Sequence, residues 1–179
     1  FLMSELSASD FRLELDIELV DDKGNTGIQI RSAPIENGLM RGYQCDAGPG
    51  WWGKLYEEHG RALLESKGGE QFVKKGDWNR YEIVAVGSRV RTWINGNLCV
   101  DRDDPAAARS GLIGLQLHSG GPTEGRFKNL KLTGFNHDLA RFPLRGAHQK
   151  VACASGKCHG EPPKYVGLQF STCTSCHQD

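Results

Sequence analysis

The chain has 179 residues, which is enough for one substantial domain and a smaller second segment. Its 22 lysines and arginines balance 22 aspartates and glutamates, so the charge gives no reason to expect nucleic acid or an anionic membrane as a partner. No apolar run approaches the roughly 18 residues that a membrane-spanning helix needs, and we therefore expect no such helix.

Apolar and polar residues alternate strictly after Asp10. The odd positions from Phe11 to Leu19 are apolar, and the even positions from Arg12 to Glu18 are charged. A period of two predicts a β-strand with one face toward the core and one toward solvent. A turn is predicted over 22–25, and the next strand over 27–31.

Further strands are predicted at intervals along the chain. They cover residues 40–46, 80–86, 90–94, 98–101, 112–117 and 126–133. Gly87-Ser88 and Asn95-Gly96 lie between apolar runs as hairpin turns, and the Asn-Gly pair suits the positive φ angles of a type I′ turn. Many short strands, 23 glycines and almost no helical periodicity indicate a mainly β protein, an antiparallel β-sandwich.

Composition changes at about Gly134. The preceding residues, 1–134, carry the predicted strands, whereas residues 135–179 hold prolines, cysteines and histidines with few β-branched residues. A tail of this size cannot bury a useful core by itself. We therefore expect two domains, with the second organised by a cofactor.

Two cysteines, Cys45 and Cys99, lie outside the tail, each in a predicted strand. In an oxidising compartment they could form a disulfide. Two buried free thiols are the alternative, since cysteine is among the most buried residue types.

Two units in the tail each place a histidine directly after the second of two cysteines. They consist of Cys153, Cys158 and His159, and of Cys173, Cys176 and His177. Covalent attachment of c-type haem uses this arrangement, because the thiols form thioethers to the porphyrin and the adjacent imidazole reaches the iron. The sequence therefore predicts two covalently attached haems c, with the tail as a short loop and helix segment around them.

The two units differ in spacing. The second has the common two residues between its cysteines, and the first has a rarer four. The same four thiols could instead bind zinc as a tetrahedral site or form two disulfides. Neither alternative explains why a histidine follows the second cysteine both times.

We expect a second axial ligand on each haem iron, and histidine is favoured because Met3 and Met40 lie far upstream. The run from Phe142 to His148 resembles the lead-in of multihaem c-type cytochromes, in which the histidine of an F-x-L-x-G-x-H motif is a distal ligand. This resemblance implies His148 as a distal ligand, and His137 is a second candidate. An exposed loop histidine is the alternative for each.

A c-type haem is attached outside the cytoplasm, so we expect a periplasmic or extracellular location in a bacterial cell envelope. An export signal would then have been removed or would lie upstream. Both ends are expected to be cut short, with a strand before Phe1 and further chain beyond Asp179. Haem edges with little protein around them predict redox partner proteins or other cytochrome subunits.

Eight short stretches of the first 134 residues carry a second resemblance. They are Asp10–Leu15, Asn25–Arg31, Gly42–Asp46, Gly53–Tyr56, Gly76–Asn79, Trp93–Gly96, Gly114–His118 and Phe127–Leu130. In this order they resemble the 3-keto-disaccharide hydrolase family, formerly a domain of unknown function, whose fold is a concanavalin-like jelly roll. The resemblance implies cleavage of sugars oxidised to a 3-keto form, whose carbonyl acidifies the neighbouring C–H.

The family often has Gly-Tyr-Glu where this chain has Gly-Tyr-Gln44, and Gln44 cannot take a proton. Asp46 lies two residues on, hence on the same sheet face, and could replace the glutamate as general base. The polar set expected on the concave face is Arg31, Gln44, Asp46, Tyr56, Glu58 and His118. Arg31 would grip a sugar oxygen, and His118 would be an acid or a metal ligand. In the structural alternative, Arg31 pairs with Asp46 and His118 caps a turn.

Trp51 and Trp52 are adjacent in a glycine-rich loop. They could stack on a pyranose ring, or seat a partner or a haem edge. Folding back over the rim of the sandwich is the alternative.

Taken together, the sequence favours an extracytoplasmic dihaem electron-transfer protein whose sandwich is a scaffold or docking domain, within a larger redox complex. One alternative is a 3-keto-glycoside hydrolase or lyase with a haem tail. Another is a carbohydrate-binding module that anchors a cytochrome to a polysaccharide. Whether the chain is an enzyme stays open, with an electron carrier favoured over a hydrolase.

Overall fold

The computed structural model describes residues 1–134, which form one compact unit. The predicted haem segment, residues 135–179 with all of its cysteines and histidines, lies outside the described residues. Within residues 1–134 there are eleven strands and three single-turn 3-10 helices. The strands are β1 (Leu2–Ala8), β2 (Phe11–Leu19), β3 (Thr26–Pro34), β4 (Met40–Ala47), β5 (Leu55–Glu58), β6 (Ala62–Glu65), β7 (Asn79–Val86), β8 (Arg89–Ile94), β9 (Asn97–Asp103), β10 (Gly111–Leu117) and β11 (Gly125–Gly134).

The strands form two antiparallel sheets. Sheet A has six strands in the order β1-β10-β3-β4-β5-β6, and sheet B has five in the order β11-β2-β7-β8-β9. Neighbours such as β3 and β10 are far apart in sequence, as expected of a jelly-roll sandwich rather than a simple meander. The predicted mainly β, antiparallel sandwich is confirmed for residues 1–134.

The core lies between the sheets and follows from the alternating pattern of the strands. Leu15 and Ile17 on β2 are fully buried, and Tyr81 on β7 lies opposite Leu15 in the sheet. Ile28 and Ile30 on β3 bury the inner face of sheet A in the same way. Each such side chain contributes roughly 1.5–3 kcal/mol through removal of apolar surface from water.

All eight strands predicted from the sequence are present, and three further strands were not predicted. β5 and β6 have only four residues each, too few for a period to be read. β1 is an edge strand in which Leu2 and Leu6 are exposed, so it lacks a buried face. The Asn95-Gly96 turn is confirmed, because φ is positive at both residues, as type I′ requires.

Arg31 lies at a bulge that reverses the expected direction of its side chain. The β3–β4 register shifts between Ile30 and Ala33, and Arg31 has a φ of +47°. Gly111 lies against this bulge, where a Cβ would be 2.4 Å from the Arg31 carbonyl carbon. A bulge of this kind re-aims a side chain, so Arg31 leaves the alternation of β3.

The Arg31 guanidinium connects β3 to the turns at one end of the sandwich. It donates to the carbonyl oxygens of Ser9 at 2.7 Å and Gly87 at 2.6 Å, and pairs with Asp10 at 3.0 Å. The Arg31 side chain is 1% exposed. A buried charge is tolerated when it is paired and hydrogen-bonded in this way, so Arg31 has a structural set of partners.

Cys45 and Cys99 are both buried free thiols, which is the second of the two alternatives open from the sequence. Burial raises the pKa of each thiol. Within residues 1–134, no helix is long and apolar enough to cross a membrane.

Replacing Arg31 with methionine should destabilise the sandwich strongly. The change removes the ion partner of Asp10 and the side-chain donor to the carbonyl groups of Ser9, Gly87 and Ala108, and breaking a buried pair costs about 3–5 kcal/mol. Arg12→Met is the matched control, because the Arg12 side chain is 51% exposed in its ion pairs with Glu14 and Glu82. Surface pairs contribute about 0–1 kcal/mol. Urea unfolding measures both, and equal losses would contradict a structural role for Arg31.

Candidate functional site

Two rows of residues cross the outer face of sheet A side by side. Residues directly opposite each other on antiparallel strands share a face, and so do residues two apart on one strand. One row contains Gly114, Gln29, Gln44 and Tyr56, and the next contains Gln116, Gly27 and Asp46. The polar members of these rows form the candidate site.

The glutamines and the aspartate of these rows are buried although they are on the outer face. Gln29, Gln44, Asp46 and Gln116 are each no more than 5% exposed. Buried polar groups of this kind are stable only when they are hydrogen-bonded. The site is therefore a network whose bonds can be followed atom by atom.

Gln44 is at the centre of this network. Its Nε2 donates to Asp46 Oδ1 at 2.7 Å and to Gln116 Oε1 at 3.0 Å. Its Oε1 accepts from Gln29 Nε2 at 3.1 Å, and Ser32 Oγ donates to Gln29 Oε1 at 2.5 Å. Both N–H donors of the Gln44 amide are thus used, and its oxygen accepts one bond.

Gly27 makes room for the Gln44 side chain. A Cβ at Gly27 would lie 3.0 Å from Gln44 Cγ and 3.2 Å from Gln44 Cδ. Gly27 also separates Gln116 from Asp46 within their row. The absence of a side chain there lets Gln44 lie across the strand and reach both neighbours.

Asp46 has the chemical character of an acid–base group. The pKa of its carboxyl group is raised to about 7, chiefly by burial and in part by the nearby Glu58, and this value already includes the opposing effects of the Gln44 hydrogen bond, His118 and Lys54. A group with a pKa near neutrality can both take up and release a proton at physiological pH. Asp46 is therefore suited to the role of general base expected for it.

The backbone at Asp46 is held from both sheets. Its N–H donates to the Lys54 carbonyl at 3.0 Å, and its carbonyl accepts from Gly53 N–H at 3.0 Å and from the Tyr81 hydroxyl at 3.3 Å. Tyr81 comes from sheet B across the core. The carboxyl group consequently stands on a fixed piece of backbone.

The two adjacent tryptophans have different environments. Trp51 is 39% exposed, and its ring meets Tyr56 edge to face with 6.1 Å between centroids. Lys54 Nζ lies 5.1 Å from the centroid of the Trp51 ring. Trp52 is buried in the core, and its Nε1 donates to Asp22. Trp52 is therefore corrected to a core residue, since a ring enclosed by protein cannot stack on a sugar, and Trp51 keeps the proposed stacking role.

Glu58 and His118 lie near Asp46. Glu58 is opposite Gly42 on β4, on the same face as Gln44, and is partly buried. His118 is exposed immediately after β10. Its Nδ1 lies 2.6 Å from the Ser119 carbonyl, which can only accept, so Nδ1 carries the proton and Nε2 is directed elsewhere.

Arg31 is the one member of the expected polar set whose described bonds are to the end of the sandwich. The alternation that predicts Arg31 on the outer face fails at the bulge, and its ion partner is Asp10, not the Asp46 of the structural alternative. Among residues 1–134, no three His, Cys, Asp or Glu side chains form a group that could hold a metal ion.

Sequence reasoning missed Gln29, Gln116 and Ser32. A usable signal was present, because Gln29 lies between two isoleucines and Gln116 between two leucines. A polar residue between two core residues of a strand points to the outer face of the sheet. There it lies beside the residues that pair with it on the neighbouring strands. Gln116 is also two residues before His118, which belongs to the polar set expected from the sequence.

The family comparison agrees with the resemblance found in the sequence. The model of the 3-keto-alpha-glucoside-1,2-lyase-like domain matches residues 1–133. The chain belongs to this family. The matched residues are almost the whole described sandwich, and residues 135–179 lie outside the match. A search of curated proteins found no significant match.

Solved structures show that the lyase-like domain shares its fold with sugar-related proteins. A Parabacteroides distasonis protein assigned as a glycosyl hydrolase has a TM-score of 0.59 and 18% identity, covering 74% of this chain and 82% of that one. The carbohydrate-binding module CBM66 of Bacillus subtilis has a TM-score of 0.56 and 21% identity, with coverages of 73% and 78%. The chicken liver agglutinin CG-16 has a TM-score of 0.53 and 9% identity, with coverages of 74% and 98%. At these identities the likeness establishes the fold alone.

The raised pKa of Asp46 predicts a stability that falls as the pH rises. The folded state holds the Asp46 proton up to about pH 7, whereas the unfolded chain releases it near 3.8, so stability is lost between these values. At about 1.4 kcal/mol per pKa unit, the shift corresponds to roughly 4 kcal/mol. Asp46→Asn should remove this loss and be more stable than wild type at pH 8, but not at pH 4.

Chemical unfolding of both proteins across this pH range tests the prediction. Asp103→Asn is the control, because Asp103 is exposed at the end of β9 on the other sheet. The free energy of unfolding of Asp103→Asn should depend on pH as that of wild type does. Parallel curves for wild type and Asp46→Asn would show that Asp46 ionises normally.

Proposed function

We propose that the lyase-like domain cleaves 3-keto glucosides by elimination across C1 and C2, with Asp46 as the base. The observation that carries this proposal is a buried carboxyl group whose pKa is raised to about 7, on a sheet face that is otherwise lined with hydrogen-bonding amides. The family match supports the substrate class. The proposal favours the sugar-acting alternative over electron transfer as the role of residues 1–134.

The reaction begins with removal of the proton at C2. The carbonyl at C3 makes this proton acidic, because the electron pair of the broken C–H bond moves onto the carbonyl oxygen as an enolate. Asp46 takes the proton. When the carbonyl reforms, the C2 electron pair makes a C1–C2 double bond, and the bond from C1 to the glycosidic oxygen breaks.

The departing oxygen needs a proton, and His118 is suited to supply it. An imidazolium keeps the Nδ1 hydrogen bond to the Ser119 carbonyl and presents Nε2–H to the leaving group. After both steps Asp46 has gained one proton and His118 has lost one. Exchange with water restores the starting state.

Gln44 replaces the glutamate common in the family without becoming a base. Its Nε2 donates to Asp46, which favours the ionised carboxylate, while burial opposes ionisation. A second carboxylate at this position would raise the pKa of Asp46 further by repulsion. The amide therefore holds the base in place and keeps its pKa within reach of neutral pH.

Trp51 and Tyr56 form the part of the site suited to a sugar ring. Trp51 is partly exposed and is held against Tyr56 by the edge-to-face contact, so ordering it on binding costs little. Lys54 on the Trp51 ring offers a donor for hydroxyl groups. A pyranose lying on Trp51 would extend from this side toward Asp46.

A second candidate is sugar binding without turnover. The fold is shared with CBM66, and the rows of amides on the outer face could hold a sugar by hydrogen bonds alone. The two candidates differ in whether the Asp46 carboxyl is needed for chemistry or only for contact.

Asp46→Asn should abolish cleavage of a 3-keto disaccharide while leaving its binding nearly intact. Asparagine keeps an acceptor for Gln44 Nε2 but cannot take a proton, and general-base catalysis is worth about 10²–10⁴-fold. Release of the reducing sugar measures the rate, and calorimetry measures binding. In wild type the rate should rise through about pH 7 as Asp46 ionises.

A control variant and two contrary results complete this test. Asp103→Asn should keep the wild-type rate, since Asp103 lies on sheet B. Cleavage by Asp46→Asn at the wild-type rate would overturn the role of Asp46. Binding of the sugar by wild type without any release of product would establish the binding module instead.

We further propose that residues 135–179 carry two covalently attached haems c and pass electrons to redox partner proteins or other cytochrome subunits. The support is the sequence, in which His159 and His177 each follow a pair of cysteines, with His148 and His137 as candidate distal ligands. A periplasmic or extracellular location follows from haem attachment. In this proposal residues 1–134 act on sugars and residues 135–179 transfer electrons.

The full chain, expressed in a host that attaches c-type haem, should keep a haem stain after denaturation and gain the mass of two haems. Replacing Cys173 and Cys176 with alanine should remove one haem, because both thioethers of that unit are lost, and should leave the other. Replacing Cys45, which lies in the sandwich, should remove none. Unmodified tail cysteines together with bound zinc would refute haem attachment.

A further inference from the structure

The charge of Asp46 fixes which way each neighbouring amide points. In its ionised form, which is the form that acts as a base, Asp46 can only accept, so the atom of Gln44 that meets Asp46 Oδ1 at 2.7 Å is nitrogen. The Gln44 oxygen therefore faces Gln29, and the Gln116 atom that meets Gln44 Nε2 at 3.0 Å is oxygen. Once the carboxylate is in place, none of these amides can be turned over without losing a bond.

This orientation leaves the NH₂ group of Gln116 available. Its oxygen is used by Gln44, and no acceptor in residues 1–134 receives its nitrogen. Gln116 is only 5% exposed. Among residues 1–134 the enclosed side-chain N and O atoms without a hydrogen-bond partner are Thr92 Oγ1 and Arg102 Nε, so the Gln116 nitrogen keeps access to solvent and a ligand with an acceptor oxygen can reach it.

Gln116 and Asp46 are adjacent across the gap at Gly27. Both bond to one nitrogen atom, Gln44 Nε2, from opposite sides, and their strands are related through Gly27 on β3. Gln44 donates to Oδ1 of Asp46, and no donor in residues 1–134 reaches Oδ2. The face thus presents a proton acceptor and an N–H donor side by side.

The backbone of Gln116 is also fixed. Its carbonyl accepts from the Thr26 hydroxyl at 2.5 Å, and Thr26 is fully buried. Donors that are rigid before the substrate arrives need no reorganisation when charge develops, which is the condition for strong electrostatic stabilisation.

We infer that Gln116 is a second catalytic residue, whose NH₂ group donates to the C3 carbonyl oxygen of the sugar while Asp46 removes the C2 proton. This inference rests on the proposed function and adds to it the group that recognises the ketone. Asp46 gains the proton, and the electron pair of the C–H bond goes to the carbonyl oxygen. The Gln116 hydrogen bond strengthens as negative charge grows on that oxygen, and no proton is transferred from Gln116.

A donor and a proton acceptor on one face also fit the substrate class of the proposed function. A ketone with a hydrogen on the adjacent carbon offers an acceptor oxygen and an acidic C–H one bond apart. The unoxidised sugar has a hydroxyl at C3, which lacks the acidic neighbour. The site should therefore prefer the 3-keto form.

The test compares wild type with Gln116→Met, which preserves the length of the side chain and removes the amide. Loss of one such donor lowers kcat by about 10²–10³-fold. Deuterium exchange at C2 of the 3-keto disaccharide should slow by the same factor, because proton removal is the step affected. The pH profile should keep its rise near pH 7, because Asp46 remains the base. Binding of the unoxidised disaccharide should change by less than about threefold.

Two further measurements keep the test decisive. If Gln116→Met fails to fold, Gln116→Asn replaces it in the test. This change withdraws the amide by one methylene and should lower kcat by the same factor. Gln29→Met disturbs the network away from the substrate, and it should shift the pH profile rather than the preference for the ketone. Unchanged kcat and C2 exchange in Gln116→Met, or equal losses for keto and unoxidised sugar, would overturn the inference.

Failure of the proposed function has a different signature. If wild type binds the 3-keto sugar but never releases product, the elimination is refuted. In that case the ratio of affinities for 3-keto and unoxidised sugar still decides the role of Gln116. A preference that Gln116→Met abolishes would support ketone recognition, and a preference that survives would refute it.

Discussion

The side-chain amide of Gln44 is the interaction on which the rest of the site depends. The central strands of sheet A have an apolar inner face and an outer face on which the glutamines and Asp46 are nearly enclosed. Such a face is stable only if each buried polar group finds a partner. Gln44 satisfies three neighbours at once, and it can do so because Gly27 leaves the space beneath it empty.

This arrangement gives the outer face a carboxyl group with a pKa near neutrality, although Gln44 itself cannot take a proton. Burial raises the pKa of Asp46, and the hydrogen bond that Gln44 donates lowers it. The balance of the two effects places the pKa near 7. Under the proposed function, the amide at position 44 supports the aspartate two residues along the same strand, which acts as the base.

Particular residues show where sequence reasoning succeeds. Strict alternation over β2 determined both its limits and its buried face, since a period of two has one physical meaning in a strand. The same rule put Gln44 and Asp46 on one face, as observed. It failed at Arg31, where a bulge with positive φ turns the side chain toward Asp10, because a bulge is set by the pairing of three strands.

By itself, the sequence determined the sandwich class, eight of the eleven strands described in residues 1–134, the Asn95-Gly96 turn and the carboxyl group at position 46. These features depend on local periodicity and turn chemistry, which are properties of residues close together in the sequence. Only the tertiary structure decided that Trp52 is a core residue while Trp51 is partly exposed, and that Gln116 from β10 meets Asp46 from β4 through Gln44. Burial and hydrogen bonding between strands more than 60 residues apart depend on register, which no local pattern specifies.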